Sequence, residues 1–176
     1  MRPRADKAAR GIGLLLGVFV AATAVWSWHI PRGNGTLGAQ VIVTTMPTGE
    51  IEVSPPGELL SAPSLRPAPI TEAQSGRVKV RNITPRTLSI GLKATPSSAD
   101  LNSLLWLQVD ANGHQVFRGT LDALQAGVAK LLVLHPQEAA NLDVSTWLPP
   151  DTGSGYEGRI QALSLEFPTK VQGAKP

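Results

Sequence analysis

Apolar and polar residues alternate with a period of two along most of the chain from residue 38 onward. Such alternation is typical of strands that place one face on a core and the other in water. A helical period occurs at residues 120–127, where Leu121 and Leu124 predict one short helix. Strands are predicted at residues 39–45, 50–54, 76–84, 86–95, 104–110, 114–119, 130–135, 141–148 and 159–167.

Turn-forming residues predict how these strands connect. Pro47-Thr48-Gly49 predicts a hairpin between the first two strands, Thr84-Pro85-Arg86 a tight turn between the next two, and Ala111-Asn112-Gly113 a third hairpin turn. Five prolines within residues 55–75 exclude a central strand or a stable helix there and predict a long Pro-rich loop. The predicted fold class is all-β: an antiparallel β-sandwich, jelly-roll or immunoglobulin-like, with one short helix.

The first 30 residues carry a different pattern. Four basic residues precede an apolar run from Ile12 to about Val25, and Ala22-Thr23-Ala24 follows the pattern of a signal-peptidase site. With its tryptophan flank the run reaches about 17 residues, near the lower limit for a membrane span. We expect residues 1–30 to be a signal peptide or an N-terminal transmembrane anchor, with the rest of the chain facing outward in both cases.

This division gives the expected domain organisation. Residues 31–38 are a linker, residues 39–172 form the β-sandwich with its Pro-rich loop at 55–75, and residues 173–176 are a tail. The protein is expected to be exported, either extracellular or membrane-anchored. The membrane is a partner through the N-terminal segment if that segment is not cleaved.

Composition and charge narrow the function classes. The chain has 176 residues, 42% of them hydrophobic, which suits one modest core. The absence of cysteine excludes disulfides, thiolate metal sites and a thiol nucleophile. Four of the 16 basic residues and one of the 13 acidic residues lie in residues 1–24, so twelve of each remain. Without a basic stripe, a nucleic-acid partner is not expected.

The residue pattern offers no recognisable catalytic or metal-binding arrangement. The histidines form no zinc-binding motif; they are His29, His114 and His135. No Gly-x-Ser-x-Gly sequence is present, and the short turn with Asp110 and Asn112 supplies too few oxygens for calcium. We therefore predict no catalytic, cofactor-binding or metal-binding residue, and we do not expect an enzyme.

Two short motifs suggest covalent modification. Asn34-Gly35-Thr36 and Asn82-Ile83-Thr84 match the N-glycosylation acceptor pattern, which is common by chance. The stretch Leu148–Gly153, LPPDTG, is close to a sortase tag but has one extra residue between proline and threonine. A predicted final strand follows it instead of a membrane span, so sortase anchoring is not expected.

The order and spacing of several motifs after Leu104 resemble a known family. They are Phe117 before Gly119-Thr120-Leu121, the turn Pro136-Gln137-Glu138, the strand end Leu148-Pro149, and Tyr156-Glu157-Gly158 before the last long strand. They resemble the camelysin/TasA-like family of bacterial secreted surface proteins, although Gln137 and Glu157 replace a glycine and a glutamine of its pattern. The resemblance implies a jelly-roll-like surface protein. Some relatives donate a strand to build biofilm fibres, and camelysin is a surface metallopeptidase.

Three functions stay open on the sequence. The first is a non-catalytic cell-surface protein, such as a biofilm-matrix or fibre subunit, that associates with itself or with other surface proteins by β-strand addition. Residues 36–45 are the candidate donor strand, or else the first strand of their own sandwich. The second is a camelysin-type metallopeptidase, for which no zinc ligand set is recognisable. The third is a ligand-binding surface module that uses the 55–75 loop.

Overall fold

Strands dominate the part of the chain that the computed structural model describes, residues 38–172. The predicted signal peptide or anchor at residues 1–30, most of the predicted linker and the predicted tail lie outside the described residues. Within residues 38–172, no helix is both long and apolar enough to cross a membrane. The strands are β1 (Ala39–Met46), β2 (Ile51–Ser54), β3 (Gly57–Leu65), β4 (Gln74–Asn82), β5 (Leu88–Pro96), β6 (Trp106–Ala111), β7 (His114–Thr120), β8 (Val128–Leu134), β9 (Ala139–Trp147), β10 (Ile160–Glu166) and β11 (Thr169–Val171).

The described strands form two sheets. In sheet A, β1 lies between β3 and β10, and β5 pairs with β10, β11 and β8. Sheet B has the order β2-β4-β9-β6-β7. Every strand pair except β1 with β10 is antiparallel. The prediction of an all-β domain with one short helix is confirmed, whereas the finer jelly-roll or immunoglobulin-like assignment stays a prediction.

The period-two pattern explains how the core forms. Val41 and Val43 of β1 and Leu107 and Val109 of β6 are fully buried, and the residues between them are more exposed. Buried side chains from both sheets form one hydrophobic cluster. All of these residues lie within the compact unit Gly35–Pro176, so this unit contains its own core.

The predicted short helix is confirmed as α1 (Leu121–Gln125). The Thr120 hydroxyl caps its N-terminus by accepting a hydrogen bond from the Ala123 N–H at 3.4 Å. Asp122 lies in the first turn, where its negative charge interacts favourably with the helix dipole. Leu121 and Leu124 are fully buried, so the helix covers part of the core.

Two of the three predicted turns do not form hairpins. β1 and β2 belong to different sheets, and so do β4 and β5, so residues 47–50 and 83–87 carry the chain from one sheet to the other. The local turn signal was correct, but the strands that it joins pair with other partners. The turn at Asn112-Gly113 does join a hairpin, β6 to β7, with φ of 50° and 85° as a two-residue hairpin turn requires.

The prediction of a Pro-rich loop at residues 55–75 is wrong for the first half of that segment. Gly57–Leu65 is strand β3, which pairs with β1. The prolines exclude a central strand but tolerate an edge strand or a register shift. Pro63 meets both conditions, because β3 is the last strand of its sheet and the register shifts between Ala62 and Leu65. A ligand-binding loop spanning the whole of residues 55–75 is therefore excluded.

Candidate assembly interface

Strand β1 is an interior strand of sheet A. It forms seven parallel pairs with β10, from Gln40↔Ile160 to Met46↔Glu166, and antiparallel pairs with β3 on its other side. Its inward side chains at Ala39, Val41 and Val43 have no exposed surface. Residues 36–45 were predicted to be a donor strand or the first strand of their own sandwich, and their described part from Ala39 onward is the first strand of its own domain.

Polar contacts hold β1 in register. The Gln40 N–H donates to the Arg159 carbonyl at 2.8 Å, and the Thr44 and Ser164 hydroxyls lie 3.1 Å apart across the parallel pair. The buried Thr45 hydroxyl donates to the Pro55 carbonyl at 3.2 Å. Polar contacts therefore fix the register of β1 in sheet A, while its apolar side chains are buried in the core.

Strand β1 has no hairpin connection to either neighbour. Between β1 and β3 the chain passes through β2 in sheet B, and β10 lies more than 100 residues further along the chain. The link from β1 to β2 is residues 47–50. The link itself contains a tight turn, which closes with a bridge between Thr48 and Ile51.

The link from β1 to β2 contains a poorly satisfied polar group. The Thr48 hydroxyl oxygen is buried and has no hydrogen-bond partner. A buried hydroxyl without a partner costs on the order of 1–3 kcal/mol relative to one in water.

Several edge strands of the two described sheets carry features that limit pairing with other chains. The edge strands are β3, β8 and β11 in sheet A, and β2 and β7 in sheet B. β3 contains Pro63, β2 has only four residues and is followed by two prolines, and the β6–β7 pair has a register shift at Val109. Proline, short length and bulges all disfavour edge-to-edge association. Edge-to-edge association is therefore disfavoured at β2, β3 and β7.

The outer face of sheet B is charged, and several of its charges are paired. The Arg77 guanidinium binds both carboxylate oxygens of Asp143, at 2.6 and 3.1 Å. The hydrogen bond to Asp143 and the negative charge of Asp143 raise the pKa of Arg77. Arg81 lies 3.8 Å from Glu52 and donates to the Gln137 side chain at 2.7 Å. This face is exposed to solvent, and several of its positive charges are balanced by negative charges on the same face.

A shallow depression of about 210 Å³ lies on this charged face. Glu52, Ser54, Lys79 and Arg81 line it. These four residues come from the outward positions of the adjacent strands β2 and β4.

An aromatic cluster lies at the end of the same sheet. The Trp106 and Trp147 rings pack at 6.0 Å with an angle of 41°, and the Arg118 guanidinium lies 5.6 Å from the Trp147 ring centre. Trp147 is almost fully buried under this arrangement. The contact is a cation–π interaction that closes one end of the sheet.

The structure does not bring the sequence candidates for metal binding together. His114 opens β7, and His135 follows β8 with its Nδ1 3.3 Å from the Thr87 hydroxyl. Asp110 accepts hydrogen bonds from Gln108 at 2.9 and 3.1 Å. Within residues 38–172, no three His, Cys, Asp or Glu side chains are grouped as metal ligands; His29 lies outside this range.

Asn82, noted in the sequence only as a sequon residue, is a buried structural residue. Its Nδ2 donates to the carbonyls of Arg86, Leu134 and His135 at 2.6, 3.1 and 3.0 Å. Its Oδ1 accepts from the N–H and the hydroxyl of Thr84 at 2.9 and 2.8 Å. The sequon amide is therefore fully engaged inside the fold. The sequon at Asn34 lies outside the described residues.

The described residues define a two-sheet, all-β domain whose first strand lies inside its own sheet. No protein-family model matches the chain, and no curated protein matches its sequence. The resemblance to the camelysin/TasA-like family stays a prediction.

Proposed function

We propose that this chain is an exported, non-catalytic cell-surface protein whose copies assemble by β-strand addition, with β1 as the exchanged strand. Such a protein serves as a subunit of a fibre or an extracellular matrix. The observation that carries the proposal is the position of β1: it lies between β3 and β10 and has no hairpin to either. Export rests on the charge and hydropathy pattern of residues 1–30.

The energetics of exchange favour neither state strongly. A β1 strand inserted into a neighbour makes the same buried contacts and hydrogen bonds that it makes in its own chain. The two states therefore differ mainly in the conformation of link 47–50 and in the effective concentration of the strand.

The geometry of donation decides the size of the assembly. If two copies exchange β1 reciprocally, the assembly closes as a dimer. If each copy gives its strand to the next and receives one from the previous, the contact is heterologous and the assembly grows as a filament. A fibre subunit requires the second arrangement.

Engineered cysteine pairs test which chain supplies β1. Ile42 and Ser61 face each other across the β1–β3 pair, and the natural chain has no cysteine. In an exchanged assembly of the Ile42→Cys/Ser61→Cys variant, oxidation is expected to link neighbouring chains. A non-reducing gel of the protein from Gly35 onward should then show a ladder of covalent multimers.

A second pair and a control make the result specific. Thr44→Cys/Ser164→Cys tests the β10 side of β1 in the same way. Ser75→Cys/Ser145→Cys joins β4 to β9, whose hydroxyls lie 2.8 Å apart, and should form only bonds within one chain. If assemblies larger than a monomer contained only intrachain bonds at both β1 pairs, or if the protein never assembled, the proposal would be wrong.

A further inference from the structure

Hydrogen-bonding side chains form a row across the middle of the outer face of sheet B. Cross-strand pairs in register join its four members, one from each of β7, β6, β9 and β4: Arg118, Gln108, Ser145 and Ser75. Leu107 and Val109 are fully buried on either side of Gln108, so the row lies on the outer face. Neighbouring strands are about 4.8 Å apart, so the row is roughly 14 Å long. We call these four residues the polar row.

An aromatic side chain borders the polar row on one side. Trp106 and Trp147 form the next outward cross-strand pair along β6 and β9. Trp147 is almost fully buried, whereas Trp106 is partly exposed, so Trp106 is the ring that reaches solvent beside the row. A partly exposed indole offers a rigid apolar surface to a ligand.

The Arg118 guanidinium is held in place but is not neutralised. It lies 5.6 Å from the Trp147 ring centre, and within residues 38–172 it forms no ion pair. Arg77 and Arg81 of the same face each lie beside a carboxylate. A guanidinium that stacks on a ring keeps N–H groups available, and these fit a carboxylate through two parallel hydrogen bonds. Arg118 can therefore bind one carboxylate of a ligand.

A carboxylate borders the polar row on the other side. Asp110 lies two positions after Gln108, whose amide donates to both of its oxygens at 3.1 and 2.9 Å. Among the described residues no cation forms an ion pair with Asp110, whereas its cross-strand neighbour Asp143 is bound by Arg77. An uncompensated carboxylate repels a ligand with negative charge only, but it accepts hydrogen bonds from hydroxyl groups.

The shape of the face favours an extended ligand. The shallow depression of about 210 Å³ lies on the same face, at β2 and β4. Small molecules bind in concave pockets that bury most of their surface, whereas a polymer can lie across an open sheet. Protein interfaces have apolar centres, but the large hydrophobic side chains exposed within residues 38–172 lie elsewhere, at Met46, Ile83 and Ile160. The face therefore fits a hydroxyl-rich polymer better than a small molecule or a protein.

We propose that the outer face of sheet B binds an acidic polysaccharide built of uronic acids, with the chain lying along the polar row. Each uronic acid carries one carboxylate, which binds the Arg118 guanidinium. Its hydroxyl groups form hydrogen bonds with Gln108, Ser145 and Asp110, and the apolar C–H groups of the sugar ring pack on Trp106. The proposal does not rest on strand exchange, although in an assembly of many copies the sites act together through multivalency.

Tryptophan fluorescence measures this binding directly. In the protein from Gly35 onward, both tryptophans, Trp106 and Trp147, belong to this face. Titration with polygalacturonate at low salt is expected to change their emission to saturation, and added sodium chloride should weaken binding because exposed charges are screened. Dextran lacks the carboxylate and polyglutamate lacks the hydroxyl groups. Both should bind at least about tenfold more weakly.

Arg118→Gln tests the cation on an exposed position of an edge strand. The loss of charge-assisted hydrogen bonds is expected to weaken polygalacturonate binding at least about tenfold. Ser75→Glu, at the exposed far end of the polar row, should also weaken binding while leaving the contact between Arg118 and Trp147 intact. Arg86→Gln is the matched control, because Arg86 is exposed in the connection from β4 to β5 and forms no ion pair within residues 38–172.

Titration calorimetry repeats the measurement without relying on Trp147, whose surroundings Arg118→Gln changes. Urea unfolding midpoints show that each variant keeps its fold. The proposal is overturned if polygalacturonate does not bind the native protein, if Arg118→Gln and Ser75→Glu bind it as tightly as the native protein, or if dextran or polyglutamate binds equally well. None of these results bears on strand exchange, which the covalent ladder of the cysteine pairs reports separately.

Discussion

Replacing Asn82 with leucine is expected to lower the free energy of unfolding by roughly 3–5 kcal/mol, because a fully buried amide with five hydrogen bonds is lost. Leucine has a similar size, so little cavity forms. The cost arises because the Arg86, Leu134 and His135 carbonyls and the Thr84 donors lose their partner. Groups left buried without a hydrogen bond carry most of the penalty.

The position of Asn82 explains why no neighbouring residue can replace the hydrogen bonds of its side chain. It ends β4 of sheet B, and two of its acceptors, Leu134 and His135, lie at the end of β8 in sheet A. Its backbone N–H also donates to the Glu138 carbonyl at 2.9 Å. One side chain therefore joins the ends of two strands from different sheets and fixes the connection from β4 to β5.

Urea unfolding followed by tryptophan fluorescence measures the effect. Thr84→Val removes the hydroxyl bond to Asn82 and the two longer bonds of this hydroxyl to the Arg86 backbone, and it is expected to cost about 1 kcal/mol. Asn141→Ala is the control, since the Asn141 side chain is exposed on β9. An Asn82→Leu variant with the same unfolding midpoint as Asn141→Ala would show that this network contributes little.

Truncating Phe167 to alanine is expected to lower the free energy of unfolding by about 3–5 kcal/mol, as phenylalanine-to-alanine changes in protein cores do. Phe167 is fully buried, and it follows the last residue of β10. Beyond it, the Pro168 carbonyl accepts from the Gly91 N–H at 2.7 Å, which turns the chain toward β11. Loss of the ring leaves a cavity beside the strand that pairs with β1.

Phe117 provides the matched comparison for this variant. It lies on the edge strand β7 and is only partly buried against the core. Phe117→Ala should therefore destabilise the domain clearly less than Phe167→Ala when both are unfolded by urea. If both variants lost the same unfolding free energy, the burial of Phe167 would not determine how much its side chain stabilises the domain.

The sequence pattern predicted most strands because burial of one face imposes a period of two. The strands at 114–119, 130–135 and 159–167 and the helix at Leu121 and Leu124 were placed nearly as they are. Alternation shows which residues of a strand point inward but not which strand lies beside it. That is why the parallel pairing of β1 with β10 could not be read from the residues of either strand.

The candidate interface was predictable only in part. Residues 36–45 were predicted to be a donor strand, or else the first strand of their own sandwich, from their place between the predicted export segment and the domain. Their burial depends on contacts with residues 160–166, far along the chain. The role of Asn82 was missed because a sequon and a strand end give no sign that the amide is buried. Its inward position after Val78 and Val80 was the one available signal.

The parallel pairing of β1 with β10 has a mechanical consequence. When force pulls the chain before β1 and the chain after β10, the two strands are drawn in opposite directions along their length. All the hydrogen bonds between them are then loaded together in shear, instead of breaking one at a time as in a hairpin opened from its end. Single-molecule stretching of the protein by its two ends is expected to give a distinct force peak when the pair ruptures, and a smooth extension would contradict this. If the same pair forms between copies, it transmits tension from one subunit to the next in its strongest direction.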